Sequence, residues 1–340
     1  PTPLAVGRSL QLLAKEHGVN VMAMDIGGAT TDVFSVYQGN FYRTVSANLG
    51  MSYSAMHVLA EAGIENVLRW LPEGLSEEDV RDWIHNKMLR PTTLPVTAEA
   101  LQVEQALARE ALRLSLKQHF NLTVALRGNK REGDATKSSE DFFGTEVLFG
   151  MKDIHWLIGS GGVISHAPSY MQAAMMMIDG FLPQGYTKLS LDSHFMLPHA
   201  GVFSQTDEAN ALKIIETLCL QPLGGVLSPV AGYGMNGEKV AKVTLEPKKG
   251  ASISKEVRFG EITVLPLAVG EEAELSVSGH WKLNYGNGFW KSFKQTVHGG
   301  HAGILVDLRG REIRWEKQLA AQRKQSALWQ AQWSNGGGKQ

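Results

Sequence analysis

An aspartate and two adjacent glycines placed directly behind a buried strand constrain this chain more than any other feature. The stretch is Met24-Asp-Ile-Gly-Gly-Ala-Thr-Thr-Asp-Val33, and it follows the largely apolar run Val19 to Met24. A second apolar pattern, Val33, Phe34, Val36 and Tyr37, reads as the return strand of a hairpin. Gly27 and Gly28 let backbone N–H groups approach an anion with no Cβ in the way. Thr30 and Thr31 add hydroxyl donors, and Asp25, with Asp32 beyond it, suits the water shell of a Mg²⁺ ion. The plain alternative is a tight hairpin whose Asp and Thr side chains cap their own backbone. Ten residues alone do not decide between the two.

The chain has 340 residues, 43% hydrophobic and 20% charged, which suits an ordinary globular protein of two domains or one large one. Its 33 basic and 34 acidic residues leave a formal net charge of -1, which offers no basic excess for nucleic acid. Cys219 is the single cysteine, so no intramolecular disulfide is possible, as fits a reducing cytoplasm. No run reaches the roughly 18–20 apolar residues of a membrane span, and no charged-then-apolar leader opens the chain. It begins at Pro1 without Met, either by methionine removal or as a piece of something longer.

Periodicity organises the rest. Pro1 to His17 reads as a short amphipathic helix, and Ser52 to Leu71 as a helical run with a break at Gly63. Ser76, followed by three acids, opens a helix that Pro91 ends, and Thr97 caps the next. Arg127 to Asp141 is polar and reads as a surface loop. Beyond it come a strand over Ile154 to Ile158, a helix from about Ser169 and a capped helix from Thr206 to about Leu218. After Gly224 the pattern turns to the two-residue period of strands, seen at Val240 to Leu245, Val257 to Leu265, Ala273 to Val277 and Ile304 to Asp307. The expected domains are residues 1–235, α/β with a helical insertion, then 236–311, a smaller β-rich domain, a helix over 312–333 and a disordered tail over 334–340.

Residues Trp156 to His166 repeat the logic of the first motif. A buried strand ends in Gly159-Ser160-Gly161-Gly162, and a helix is expected within a few residues. Such a turn lets a purine and ribose lie against the main chain. It lacks the GxGxxG spacing of a dinucleotide fold.

The pair of motifs resembles the actin, Hsp70 and sugar-kinase superfamily. Its second phosphate loop has the form Asp-x-Gly-Gly-x-Thr, matched by Asp25 to Thr30, and its adenosine loop is a Gly-Gly turn, matched by Gly159 to Gly162. The stretches Asp25 to Val36, Asn48 to Ala55, Leu157 to Ala167 and Gly299 to Arg311 further resemble the glutamate mutase accessory family. Its members are often called MutL and are unrelated to the mismatch-repair protein of that name. The resemblance implies an actin-like (ribonuclease H-like) ATPase subdomain in a cytoplasmic ATP-dependent chaperone that reactivates an adenosylcobalamin-dependent mutase, with ATP and Mg²⁺ as cofactors. It places Asp25, with Asp32 assisting or only bracing the turn, beside the metal. Gly27, Gly28, Thr30 and Thr31 would face the phosphates, and Gly159, Ser160, Gly161 and Gly162 would lie beside adenosine.

One departure bears on activity. No first phosphate loop of the Asp-x-Gly-Ser/Thr type precedes Asp25. The expectation is therefore a C-terminal portion or a shortened relative, completed by an N-terminal half or by a homo-oligomer, with no catalytic residue assigned. A small-molecule kinase or hydantoinase-type enzyme on the same fold, and a non-hydrolysing scaffold, remain as rival readings. The 11 histidines show no metal-ligand spacing. Trp281, Tyr285, Phe289 and Trp290 suit either partner docking or packing within the β-rich domain.

Overall fold

The computed structural model describes residues 2–128, 148–278 and 282–336. The N-terminal run forms α1 (Thr2–His17), which leads through Gly18 into β1 (Val21–Ile26) and, after the glycine turn, β2 (Thr30–Tyr37). A tight turn at Gln38 and Gly39, with φ 49° and 79°, then folds the chain into β3 (Asn40–Ala47), a strand the sequence pattern did not separate. Gly63, φ 81°, divides the next run into α2 (Ala55–Ala62) and α3 (Ile64–Leu68).

The caps read from sequence form as expected. The Ser76 hydroxyl accepts the Asp79 N–H at 3.1 Å, while the Asp79 carboxylate accepts the Ser76 N–H at 2.8 Å, closing a capping box on α4 (Glu77–Leu89). Thr97 accepts the Ala100 N–H at 3.1 Å at the head of α5 (Ala98–Gly128). From residue 129 the expected polar loop lies outside the described residues. Then follow β4 (Trp156–Ser160), the single turn α6 (Gly162–Ser165), α7 (Tyr170–Phe181) and β5 (Gly185–Asp192). The chain continues through α8 (Leu197–Phe203) and α9 (Glu208–Ile214) to β6 (Leu220–Ser228). The later strands are β7 (Ala231–Gly232), β8 (Lys239–Pro247), β9 (Ile253–Arg258), β10 (Ile262–Leu265), β11 (Glu272–Ser278), β12 (Leu283–Asn284), β13 (Phe293–His298) and β14 (Ile304–Asp307). Helix α10 (Leu319–Gly336) comes last and runs into the stretch expected to be a tail.

Eight strands build one mixed sheet in the order β10-β14-β6-β5-β4-β1-β2-β3. Within β3-β2-β1-β4-β5 only β2 runs against its neighbours. A four-stranded antiparallel sheet, β13-β11-β8-β9, packs beside it. Strands from both sides of the expected boundary between residues 235 and 236 share the large sheet. The run Val257 to Leu265 is two strands in different sheets, and β10 and β14 complete the large sheet instead of a separate β-rich domain. Alternation alone cannot say which sheet a strand joins.

Side-chain alternation on β1 sorts the core. Met22, Met24 and Ile26 face the cluster under α2–α5 and α7, while Val21 and Ala23 face the one under α1 and α8. A third cluster fills the space between the two sheets, with Leu227, Leu265 and Val306 from the large one and Val243, Leu275 and Val297 from the small one. Helix α5 is pinned to β2 and β3 by buried His119, whose ring nitrogens share hydrogen bonds with the hydroxyls of Ser35 (2.8 Å) and Thr44 (2.9 Å). Burial depresses the His119 pKa to about 4, so the ring is neutral at pH 7.

A buried charge cluster joins α5, α7 and the end of β14. Arg309 lies 2.7 Å from Asp179 and 2.8 Å from Asp307, Arg109 lies 2.6 Å from Asp179, and Arg311 lies 2.9 Å from Asp307. The Trp329 ring of α10 covers the Arg309 guanidinium at 5.0 Å. Among the described residues no helix is long and apolar enough to cross a membrane.

Candidate functional site

Strands β1 and β4 are parallel neighbours, with Met24 opposite Gly159 and Asp25 opposite Ser160. Both glycine turns therefore open at the same edge of the sheet. Gly161, φ 107°, sits so close to the Ile26 backbone that a Cβ would overlap it. Two motifs far apart in sequence thus become one continuous rim.

Hydrogen bonding decides which groups on that rim are available. The Gly27 N–H donates to the Thr30 carbonyl at 2.9 Å and closes the turn. The carbonyls of Gly27 and Gly28 accept N–H groups of Met51 and Ser52, both at 2.9 Å. Among the described residues the N–H groups of Gly28 and Ala29 have no acceptor. The Thr30 hydroxyl is part-exposed, with no partner there. Thr31 differs from its expected role: it is fully buried and its hydroxyl donates to the Leu49 carbonyl at 2.6 Å. Gly159 also serves packing, since a Cβ there would meet Met177 Sδ at 2.7 Å. Gly162 is exposed, has open space where a side chain would be, and begins the short turn α6.

Six of the ten predicted residues line two cavities on opposite faces of this edge, and Thr30, Thr31, Gly159 and Gly161 line neither. One, of about 520 Å³, holds Gly27, Gly28, Gly162, Val163 and His166 on one side and the α4–α5 connection on the other. Lys87 and Glu104 also line it, 3.0 Å apart and both buried. The other, of about 840 Å³, is lined by Asp25, Asp32, Ser160 and Asp192 beneath apolar walls from α1, β2 and α8. Lys87, Glu104 and Asp192 were missed by sequence reasoning. Asp192 had a signal, since Leu189-Ser-Leu-Asp192 ends a strand in an acid much as Met24-Asp25 does. The Lys87–Glu104 pair had none, because it needs two helices to cross at one point.

The three aspartates are held differently. Asp32 pairs with Arg43 of β3, 2.7 Å away. Asp192 accepts the N–H groups of Met196 and Leu197, both at 3.0 Å, at the head of α8. Asp25 has no hydrogen-bond partner among the described residues. Burial, then the charges of Asp32 and Asp192, raise its pKa from 3.8 to about 6. A carboxylic acid whose folded pKa is raised burdens the fold above that pKa and loses the burden as pH falls toward 3.8. Asp25→Asn is therefore expected to stabilise the chain at pH 7.5, by at most about 3 kcal/mol. The gain should shrink toward pH 4.5, and parallel denaturant titrations of both proteins at the two pH values measure it. An equal gain at both values would rule out a charge burden at Asp25.

Comparison with known proteins agrees with the resemblance carried by these motifs. A family model described as MutL protein matches residues 1–219. "Protein MutL" of Clostridium tetanomorphum is 23% identical over 241 residues, which cover 64% of this chain and 50% of that protein. The chain thus spans about half the length of that relative. A crystal structure of an ATP-dependent caprolactamase from Pseudomonas jessenii aligns with 75% of this chain and 42% of its own, at 11% identity and a TM-score of 0.26, too low to inform fold or function. With both glycine turns inside the matched region, the chain belongs to the MutL family.

Proposed function

We propose that this chain carries the adenosine-side wall of a nucleotide cleft in an accessory factor for an adenosylcobalamin-dependent mutase, of the glutamate mutase or aminomutase type. The observation that carries the reading is the joining of the two glycine turns on adjacent parallel strands, with N–H groups at Gly28 and Ala29 and a carboxylate at Asp25, across the same sheet edge, that have no partner among the described residues. The run β3-β2-β1-β4-β5, with β2 alone reversed, supports an actin-like subdomain. Membership of the MutL family supports the mutase as partner.

In this reading the Gly28 and Ala29 amides and the Thr30 hydroxyl donate to phosphate oxygens. The sugar and base lie against Gly161 and Gly162, with Glu104 accepting from a ribose hydroxyl. Asp25 orders waters of a Mg²⁺ ion that arrives with the nucleotide, which neutralises phosphate charge when bound. Among the described residues no group of three or more His, Cys, Asp or Glu that could hold a metal ion is present. Nucleotide state would bias domain orientation and so loosen the partner's hold on damaged cofactor, in a cytoplasmic setting.

Partner binding has a defined surface to test. Trp290 is 73% exposed and Phe289 lies beside Tyr233, with ring centroids 5.7 Å apart, whereas Tyr285 is core; Trp281 lies outside the described residues. Trp290→Ala is expected to weaken capture of a cobalamin mutase at least tenfold, as loss of an aromatic anchor does, while nucleotide affinity is unchanged. Undiminished capture would remove the aromatic loop from the interface.

A further inference from the structure

We infer that Ser54 is a positioning residue for the turn after β1, a role that rests on the phosphate contacts proposed above for Gly28 and Ala29. Ser54 belongs to the stretch Asn48 to Ala55, and three successive carbonyls of the turn point into that stretch. The Gly27 carbonyl accepts the Met51 N–H and the Gly28 carbonyl accepts the Ser52 N–H, both at 2.9 Å. The Ala29 carbonyl accepts the Ser54 hydroxyl at 2.8 Å. In these trans peptides each N–H points opposite to its C=O. Anchoring the Gly27 and Gly28 carbonyls therefore turns the Gly28 and Ala29 N–H groups away from the stretch, as an anion-binding nest requires. Gly50 lies flat against the same peptides, since a Cβ there would fall 2.4 Å from the Ala29 nitrogen.

The plain role for Ser54 is a helix cap, because it directly precedes α2 and serine is favoured there. Its side chain makes no cap hydrogen bond, and the hydroxyl goes to Ala29 instead. Ser52 differs: its hydroxyl reaches the Gly28 carbonyl at 3.3 Å, but the Ser52 N–H already holds that carbonyl. Ala29 lies outside β2, and among the described residues no backbone N–H reaches its carbonyl. The buried Ser54 hydroxyl thus fixes the peptide that joins the turn to β2. A glycine-rich turn offers little resistance to peptide rotation. Rotated by half a turn, the Ala29–Thr30 peptide would present its oxygen to an anion and would carry the Thr30 hydroxyl out of place.

The test titrates Mg-ATP and adenosine calorimetrically into the 340-residue chain and its Ser54→Ala variant, and measures nitrogen-15 relaxation of the Gly28, Ala29 and Thr30 amides without ligand. Ser54→Ala should bind Mg-ATP at least fivefold more weakly, in line with losing one hydrogen-bonded brace. Adenosine has no phosphate to meet the turn, and its affinity should stay within twofold. A general loss of structure would instead weaken both ligands alike. In the ligand-free spectra Ser54→Ala should show microsecond-to-millisecond exchange at these amides that the wild type lacks. Ser52→Ala, which keeps its backbone N–H on the Gly28 carbonyl, should show less. Equal measurable Mg-ATP affinity in wild type and Ser54→Ala, parallel losses of ATP and adenosine, or amides as rigid in Ser54→Ala as in wild type would overturn the assignment. Binding of Mg-ATP by neither protein would count against the nucleotide reading, and the ligand-free amides would then decide the role of Ser54 by themselves.

Discussion

Replacing Arg309 with methionine is expected to destabilise the folded chain by about 3–5 kcal/mol, the usual cost of removing one partner from a buried ion cluster. Arg309 is 1% exposed and holds Asp179 and Asp307 together. Without it two carboxylates keep their burial but lose half of their compensation, and methionine supplies no donor. Burial alone would raise the Asp307 pKa, yet Arg309 and Arg311 hold it well below the usual carboxylate range. A depressed carboxylate contributes stability that is present above its unfolded value of 3.8 and is lost as pH falls through its folded one. Wild type should therefore lose stability steeply below pH 4, and the variant should lose less over that interval. Urea titrations at pH 7 and pH 3.5 read both effects. A variant within about 1 kcal/mol of wild type at pH 7 would show that the cluster is balanced by packing.

The cluster also shows what the sequence withheld. Gly299 to Arg311 was visible as a motif, but nothing in it indicated that Arg309 would meet Asp179 from α7 and Trp329 from α10. Local signals were legible where the physics is local. The Ser76 capping box, the Gly63 break and the Thr97 cap each depend on residues within a few positions, and each formed. The adjacency of the glycine turns was also legible, because two apolar strands ending in glycine have few ways to share a cleft. Roles that depend on partners were not. Thr31 looks like a phosphate donor until Leu49 takes its hydroxyl, and Gly159 looks like a ligand turn until Met177 fills the space beside it. The sheet membership of β10 and β14 was hidden for the same reason.

Turnover is where the second large effect is expected. If the glycine turn after β1 is a phosphate turn, as proposed, it supplies donors to the β- and γ-phosphates from one side only, and water screens them. The chain alone should hydrolyse Mg-ATP negligibly. Adding a polypeptide that carries the first phosphate loop should restore turnover, and Asp25→Ala should then lower it at least 100-fold, in line with losing an electrostatic contact to the reacting phosphates. Steady-state phosphate release reads each case. Robust turnover by the chain alone, lost in Asp25→Ala, would mean that one wall suffices.

The central claim is that the glycine-turn cavity seats the nucleotide, and Gly162→Phe tests it most directly. No atom lies within 4 Å of a Cβ built at Gly162, which lines the cavity, so a side chain can start there without a backbone clash and the fold is expected to persist. Calorimetric titration of Mg-ATP into wild type should show one weak, saturable site. Gly162→Phe should weaken it at least tenfold with an unchanged unfolding temperature. Equal binding by both proteins, or no binding by either, would contradict the account.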